Sequence, residues 1–222
     1  MMERIGEPLE AFERALDAFR GEAARFPEVS ARLFEGSRDW IDLLTYKLVP
    51  HLAGEGCLVA VVAGGTNTGK STIFNVLAGV ALSPVVNTAA ATCHPVLAAN
   101  ERRRAQCLQA KLVPEFAPLP LGDGGGPTDR EATATALYVG LASSLPDHLV
   151  IMDTPDVDSI DTRNWEIADH IRAAGDVMLA LITGEKYRDE RVVAFFREAL
   201  AAGRLVLPVM NKANPANDFD VA

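Results

Sequence analysis

The sequence has few cysteines, no long apolar run and no excess of positive charge, and each shortage excludes a class of protein. Its three cysteines, Cys57, Cys93 and Cys107, form no C-x-x-C pair, which argues against a disulfide framework or a zinc site. No apolar run approaches the roughly 20 residues of a membrane span, and the acidic N-terminus is no signal peptide. The formal net charge of −9 argues against bulk binding to nucleic acid or anionic lipid. We therefore expect a cytoplasmic protein that binds no nucleic acid.

The composition and the first 54 residues predict a globular domain with a helical appendage. The chain has 222 residues, of which 49% are hydrophobic and 23% charged, so it can bury a real core. Two helical stripes separated by Gly21 and Pro27 predict a helical hairpin over residues 1–54, for which packing within the protein is favoured over a dedicated partner surface. The first stripe consists of Ile5, Leu9, Phe12, Leu16 and Phe19. The second stripe consists of Leu33, Phe34, Trp40, Ile41, Leu44 and Leu48.

Beyond residue 55 the pattern changes to short apolar runs that alternate with helix-like stretches. The runs cover residues 57–63, 148–153, 176–183 and 204–210. Continuous apolar runs suit parallel strands covered on both faces, so residues 55–222 are predicted to form a three-layer α/β/α domain with a mostly parallel sheet. Within the less regular part, residues 130–145 are predicted to be a helix, and the segment from Glu101 to Phe116 is left open between strand and helix.

A glycine-rich loop follows the first of these strands and precedes a helix. Its sequence, GGTNTGKS, matches the pattern G-x-x-x-x-G-K-[ST]. Such a loop turns its backbone N–H groups toward phosphates, and the positive end of the next helix adds to the attraction. Lys70 can reach the β- and γ-phosphates, and the Ser71 hydroxyl can bind Mg²⁺. The predicted nucleotide-binding residues here are Gly64, Gly65, Thr66, Asn67, Thr68, Gly69, Lys70, Ser71 and Thr72.

Two further motifs bear on the metal and the base. Asp153 ends an apolar strand and precedes PDVDS, which places a carboxylate where it can orient Mg²⁺. Asn211 and Lys212 end the last apolar strand in the sequence NKAN, close to the N-K-x-D signature of guanine recognition. In that signature the Asn supports the phosphate loop, the Lys stem lies along the base, and the Asp accepts two guanine N–H bonds. GTP is thereby favoured over ATP.

With these motifs the chain resembles the translation-factor-related GTPases, and within them the Era/TrmE and dynamin-like group, including bacterial YfjP-type proteins. The matching segments are GGTNTGKS, NTAAATCHPV, DTPDVDS, GEKYRDE and NKAN. The resemblance implies a P-loop G domain that binds GTP and GDP and hydrolyses GTP, with Mg²⁺ held by Ser71, Asp153 and Thr92. Thr88 is the alternative to Thr92 as the first switch threonine. It also implies a homodimer across the nucleotide face.

Three positions depart from the family pattern. Val157 stands where Ras-like enzymes carry the water-orienting glutamine, and valine cannot orient water. In cation-activated members an asparagine at the position of Asn67 helps hold K⁺; equally, Asn67 is a good turn residue. Asp156 replaces the glycine of D-x-x-G; its backbone N–H can still reach the γ-phosphate, so it is kept among the nucleotide-binding residues. Its carboxylate is expected to point away from the phosphates, toward the switch or a basic partner residue, because like charges repel. Asn214 replaces the aspartate of N-K-x-D and offers guanine only one acceptor.

These departures keep two alternatives open beside a GTPase with Lys70, Asn67 and Thr92 in its reaction site. One is a non-hydrolysing, nucleotide-sensing interaction module. The other is an ATPase, against which NKAN argues. The G domain is expected to be truncated after the N-K-x-D-like motif, because no base loop follows Asn214. In the full-length protein, contact with a membrane would then be peripheral and would come from regions outside this chain.

Overall fold

The computed structural model describes residues 3–28, 30, 56–85, 93–109, 112–113, 116–122, 127–128, 133, 135–156, 171, 174–184 and 189–213. The chain divides into two compact units, Met1–Cys57 and Leu58–Ala222.

The first unit begins with a long helix, α1 (Glu3–Ala23). It contains the first predicted apolar stripe, in which Phe12 and Phe19 are exposed. The helix continues through Gly21, so the predicted break at this glycine is wrong; one glycine costs a helix only about 1 kcal/mol relative to alanine. The second helix of the predicted hairpin, with its stripe at 33–48, lies outside the described residues. None of the helices in the described part of the chain is long and apolar enough to cross a membrane.

The second unit contains a seven-stranded sheet. Its strands are β1 (Leu58–Gly64), β2 (Val96–Ala99), β3 (Ala117–Pro120), β4 (Ala136–Leu141), β5 (Leu149–Asp153), β6 (Val177–Ile182) and β7 (Leu205–Met210). They lie in the order β3-β4-β2-β5-β1-β6-β7. Every neighbouring pair is parallel except β2 and β5. The prediction of a mostly parallel sheet with helices is confirmed.

The central strands and their helices follow from the apolar runs. Residues 59–64 of β1 are buried without alternation, as expected for a strand covered on both faces. Helix α2 (Lys70–Ala78) follows β1 directly. A 3₁₀ turn (Glu101–Arg103) and the short helix α3 (Arg104–Leu108) follow β2, and α4 (Glu190–Ala201) precedes β7. Helix α4 ends at Ala201 and is followed by Gly203, whose φ of +77° suits glycine, while the Arg204 N–H donates to Ala199 O at 3.0 Å.

The register brings four strand ends to one edge of the sheet. Val62 of β1 lies opposite Asp153 of β5, and Gly64 lies opposite Leu181 of β6. Ile182 of β6 in turn pairs with the last residue of β7. Residues that follow β1, β5 and β7 therefore meet at the carboxyl edge of the sheet, where open α/β sheets bind their ligands.

The segment from Thr133 to Leu145 differs from its prediction. The prediction of a helix over residues 130–145 is wrong, because β4 occupies the middle of the segment. Burial of the strand between β3 and β2 outweighs helix propensity. Strand β3 was not predicted either, since Pro118 and Pro120 argue against a strand; it is tolerated because β3 is an edge strand. The segment after Glu101, left open, begins with the 3₁₀ turn and α3.

Candidate functional site

The loop between β1 and α2 depends on two glycines. A Cβ on Gly64 would lie 2.6 Å from the Leu181 backbone oxygen, so only glycine allows β1 to pass β6 so closely at this point. Gly69 has a φ of +91°, and a Cβ there would lie 2.5 Å from Asn211 Nδ2. These two residues fix the start and the end of the loop, and the first turn of α2 follows at Lys70.

Hydrogen bonds within the loop converge on one carbonyl group. The Gly65 oxygen accepts from Thr68 Oγ1 at 2.8 Å and from Lys70 Nζ at 2.9 Å. Asn67 has a φ of +61°, a left-handed conformation that asparagine tolerates better than most residues, and it is exposed. Thr66 is partly buried in the loop. The loop therefore closes around the ammonium end of the Lys70 side chain, which begins at the positive end of α2.

Two residues after β7 hold the same loop from the other side. The Asn211 backbone N–H donates to Ile182 O, and its Nδ2 donates to Thr68 O, both at 2.8 Å. Lys212 Nζ donates to the Asn67 carbonyl at 2.6 Å. The two chain segments lie more than 140 residues apart in sequence, and the sheet register brings them together. This contact ties the predicted base-reading motif to the predicted phosphate loop.

Asp153 is a fully buried carboxylate at the end of β5. Its Oδ2 accepts from Ser71 Oγ at 2.7 Å and from Ser83 Oγ at 2.5 Å. Its Oδ1 has no hydrogen-bond partner among the described residues. Burial raises the pKa of the Asp153 carboxyl group, although the hydrogen bonds from Ser83 and Ser71 and the positive charge of Lys70 act in the opposite direction.

The unpaired oxygen of Asp153 and the neighbouring Ser71 hydroxyl fit a Mg²⁺ ion. Magnesium prefers oxygen ligands, is commonly held by one or two carboxylates, and takes its remaining ligands from phosphates and water. A buried carboxylate oxygen without a partner is costly until a cation or a donor meets it. Among the residues described, Ser71 and Asp153 are the predicted ligands that the fold brings together.

Ser83 was not predicted as part of this site. Its position is fixed by Asn75 on α2, whose Oδ1 accepts from the backbone N–H groups of Leu82 and Ser83 at 3.0 and 2.9 Å. Asn75 Nδ2 also donates to the Ser83 carbonyl at 2.8 Å. No sequence motif marks this serine, because its contact with Asp153 depends on how the chain turns after α2.

Asp156 lies where sequence reasoning did not expect it. Its Oδ1 accepts from Lys70 Nζ at 2.6 Å, so the carboxylate points into the phosphate loop. The carboxylate contacts a basic residue, as one alternative predicted, but this residue is Lys70 of the phosphate loop. The prediction that the carboxylate points away from the phosphate site is therefore wrong, because the positive charge of Lys70 attracts it. The chain before it is fixed by Thr154, whose hydroxyl donates to Val62 O at 3.0 Å.

Not all of the predicted site residues lie in the described part of the chain. Thr72 is exposed on the first turn of α2. Thr92, its alternative Thr88, and Asn214 lie outside the described residues, as does Val157. Their predicted roles remain predictions.

Comparison with known proteins gives one family. The model described as "50S ribosome-binding GTPase" matches residues 59–212. No curated protein matches the chain.

Solved structures that resemble the chain include Era from Aquifex aeolicus bound to GDP and AlF4⁻, with 18% identity and a TM-score of 0.44. Era in complex with MgGDPNP and part of 16S ribosomal RNA has 18% identity and a TM-score of 0.46. For both, the match covers 73% of this chain and 42% of the other. An oligomerised bacterial dynamin pair has 13% identity and a TM-score of 0.49, over 97% of this chain and 35% of the other. The chain thus spans less than half the length of these proteins.

Proposed function

The chain belongs to the family described as 50S ribosome-binding GTPase, and from this membership we propose that it binds GTP and GDP with Mg²⁺ and hydrolyses GTP to GDP and phosphate. One observation carries the proposal. The Lys70 ammonium and the buried Asp153 carboxylate, linked to Ser71, lie at the same edge of the sheet. Phosphoryl transfer needs a positively charged hydrogen-bond donor for the phosphates beside a carboxylate that can hold Mg²⁺.

Each residue has a separate task in the proposed reaction. The loop amides and Lys70 would hold the phosphates, and Lys70 would stabilise negative charge that develops on the γ-phosphoryl oxygens. Ser71 and Asp153 would hold Mg²⁺, which when bound neutralises charge on the β- and γ-phosphates. Water attacks the γ-phosphorus in line, and the bond to the β–γ bridging oxygen breaks. Thr92 is proposed as a further metal ligand on the resemblance.

The N-K-x-D-like motif yields a direct prediction about the base. We expect GTP to bind more tightly than ATP, and Asn214→Asp to raise GTP affinity about tenfold, because the second carboxylate oxygen satisfies a guanine N–H that an amide leaves unmatched. XTP should lose affinity in the same variant, since xanthine carries a carbonyl where guanine carries an amino group. Titration of GTP, GDP, XTP and ATP with Mg²⁺ measures all four.

Those titrations also discriminate between the alternatives. Tighter binding of ATP than of GTP would favour the ATPase. If Asn214→Asp binds the four nucleotides with unchanged relative affinities, residue 214 does not recognise the base.

A potassium ion is proposed as a cofactor that acts beside Asn67. We expect GTP turnover to be faster in K⁺ than in Na⁺, and this difference to disappear in Asn67→Gly. Glycine is the suitable replacement because it accepts the φ of +61° at this position, whereas alanine would add backbone strain. Steady-state phosphate release in the two salts is the measurement.

Equal turnover in both salts by the unaltered protein would contradict a K⁺ site at Asn67. Its role would then be that of a turn residue only. Absence of turnover in either salt, with GTP binding retained, would favour the second candidate, a non-hydrolysing nucleotide-sensing module. That candidate is supported by the carboxylate of Asp156 on Lys70 and by Val157 in place of glutamine.

Assembly and location are proposed on the resemblance. A homodimer across the nucleotide face would complete the site, and sedimentation of the protein with GDP, GTP or no nucleotide tests it. A cytoplasmic location, with peripheral membrane contact through regions outside this chain, is the corresponding proposal for the cell.

A further inference from the structure

The ammonium group of Lys70 has two acceptors in the structure. It donates to the Gly65 carbonyl at 2.9 Å and to Asp156 Oδ1 at 2.6 Å. The exposed fractions of the two charged side chains are 6% for Lys70 and 16% for Asp156, so the pair is shielded from water and from screening by salt. The pair therefore differs from the solvent-exposed ion pairs whose net contribution is usually close to zero.

The two acceptors of Lys70 differ in what nucleotide binding would do to them. The Gly65 carbonyl belongs to the loop that cradles the phosphates, so its bond is compatible with a bound nucleotide. The Asp156 carboxylate is an anion at the ammonium group that reaches the β- and γ-phosphates. Two anions that compete for one ammonium repel each other at short range. The carboxylate therefore accepts from the same ammonium group that a nucleotide phosphate would need.

We propose that Asp156 is a specificity-determining residue that competes with the γ-phosphate for Lys70 and so lowers the affinity for GTP more than for GDP. The inference deepens the proposed function and rests on it. A triphosphate carries more negative charge than a diphosphate and extends further toward this carboxylate. When GTP binds, its phosphate replaces the Asp156 carboxylate at Lys70. The free energy needed to displace Asp156 lowers the net binding free energy of GTP.

The chain around Asp156 permits this displacement. Asp153 is fixed by two serine hydroxyls, and Thr154 is fixed by its bond to Val62 O. By contrast, the side chain of Asp156 is partly exposed. Rotation of its own side chain can move the carboxylate toward solvent while β5 and the metal-binding carboxylate stay in place. The family pattern has glycine at this position, which could make no such contact.

The test compares nucleotide affinity and thermal stability of the unaltered protein and Asp156→Asn, which keeps the shape of the side chain and removes its charge. GTP affinity is expected to rise about tenfold and GDP affinity about threefold, as expected for loss of one competing charge near a phosphate. Without nucleotide, the variant should unfold at a lower temperature, because Lys70 loses its ionic partner. With saturating GTP, the difference in unfolding temperature should shrink or reverse.

Asp147→Asn is the matched control. It removes the same charge from an exposed aspartate whose partner is Arg102 at 3.0 Å, and it should leave both affinities within about twofold, as surface pairs contribute little. Asp156→Glu, which keeps the charge, should leave the ratio of GTP to GDP affinity closer to that of the unaltered protein than Asp156→Asn does.

The outcomes separate this inference from the proposed function. If the unaltered protein binds GTP and Asp156→Asn binds it equally or more weakly, the inference is overturned and the proposed function stands. If neither protein binds GTP or GDP, both are overturned. A variant that is less stable with and without GTP, with no gain in GTP affinity, would show that the ion pair has a structural role only.

Discussion

Lys70→Ala is expected to weaken GTP binding by at least about a hundredfold. Hydrogen bonds to charged groups contribute about 1.5–3 kcal/mol each, and Lys70 is placed to make them to two phosphates. At about 1.4 kcal/mol for each tenfold change in affinity, two such bonds exceed a hundredfold. The loss is increased by Asp156, because the variant leaves its carboxylate uncompensated beside the incoming phosphates. Equilibrium titration with a fluorescent GTP analogue, with competition by GTP, measures the change.

Two further variants show whether this loss is specific. Arg102→Ala removes an exposed cation from a surface ion pair and should leave GTP affinity unchanged. The double variant Lys70→Ala/Asp156→Asn should bind GTP more tightly than Lys70→Ala alone, since it lacks the unpaired carboxylate; such non-additivity is expected for residues in contact. Thermal unfolding of each variant confirms that it is folded. Affinity of Lys70→Ala equal to that of the unaltered protein would refute the assignment of the phosphate loop.

The phosphate loop and the edge of the sheet at which it lies could be predicted because their signals are local. Gly64 and Gly69 are required by close backbone approach and by a positive φ, and both requirements are met within one short motif. The strand that ends at Asp153 is a continuous apolar run, which by itself predicts a buried parallel strand. Parallel strands place their carboxyl ends together, so the meeting of the loop with the residues after β7 follows from the fold class.

What could not be predicted depends on contacts between distant segments. The alanine-rich segment containing β4 favours a helix locally, and only its place between β3 and β2 makes it a strand. Ser83 belongs to no motif, and it meets Asp153 because Asn75 fixes the turn after α2. Asp156 was expected to avoid the phosphate site on the argument of like charges. That argument left out the positive charge of Lys70, whose Nζ lies 2.6 Å from the carboxylate.

Asp153→Asn is expected to remove the contribution of Mg²⁺ to GTP binding and to lower turnover by at least about a hundredfold, as expected when a group that stabilises transition-state charge is lost. The residue provides the buried carboxylate at this edge of the sheet, and its free oxygen is the one that fits the cation. GTP affinity should therefore respond to Mg²⁺ in the unaltered protein and not in the variant. Titration of GTP at several Mg²⁺ concentrations measures this response directly.

In the same assay, Ser83→Ala distinguishes the proposed metal ligand, Asp153, from the residue that holds it in place, Ser83. It removes one hydrogen bond to Asp153 and leaves the carboxylate in place. Groups that orient a metal ligand typically contribute about 10–100-fold to metal affinity, so the Mg²⁺ response should shift to higher concentration but persist. A Ser83→Ala variant that loses the response as completely as Asp153→Asn would mean that the two residues act as one unit.

The pH dependence of the free energy of unfolding, measured without nucleotide, independently tests whether the charged Asp153 carboxylate is buried. Burial raises the pKa of Asp153 in the folded protein, so the folded state binds more protons than the unfolded state between the unfolded and the folded pKa. The free energy of unfolding therefore falls as the pH rises through that window, and above it the cost of burying the charge is fully present. In Asp153→Asn this fall should be absent, while Asp147→Asn, which alters an exposed carboxylate, should retain it. Denaturant unfolding of the three proteins at a series of pH values measures the slope, and the same slope in Asp153→Asn as in the unaltered protein would contradict the buried charge.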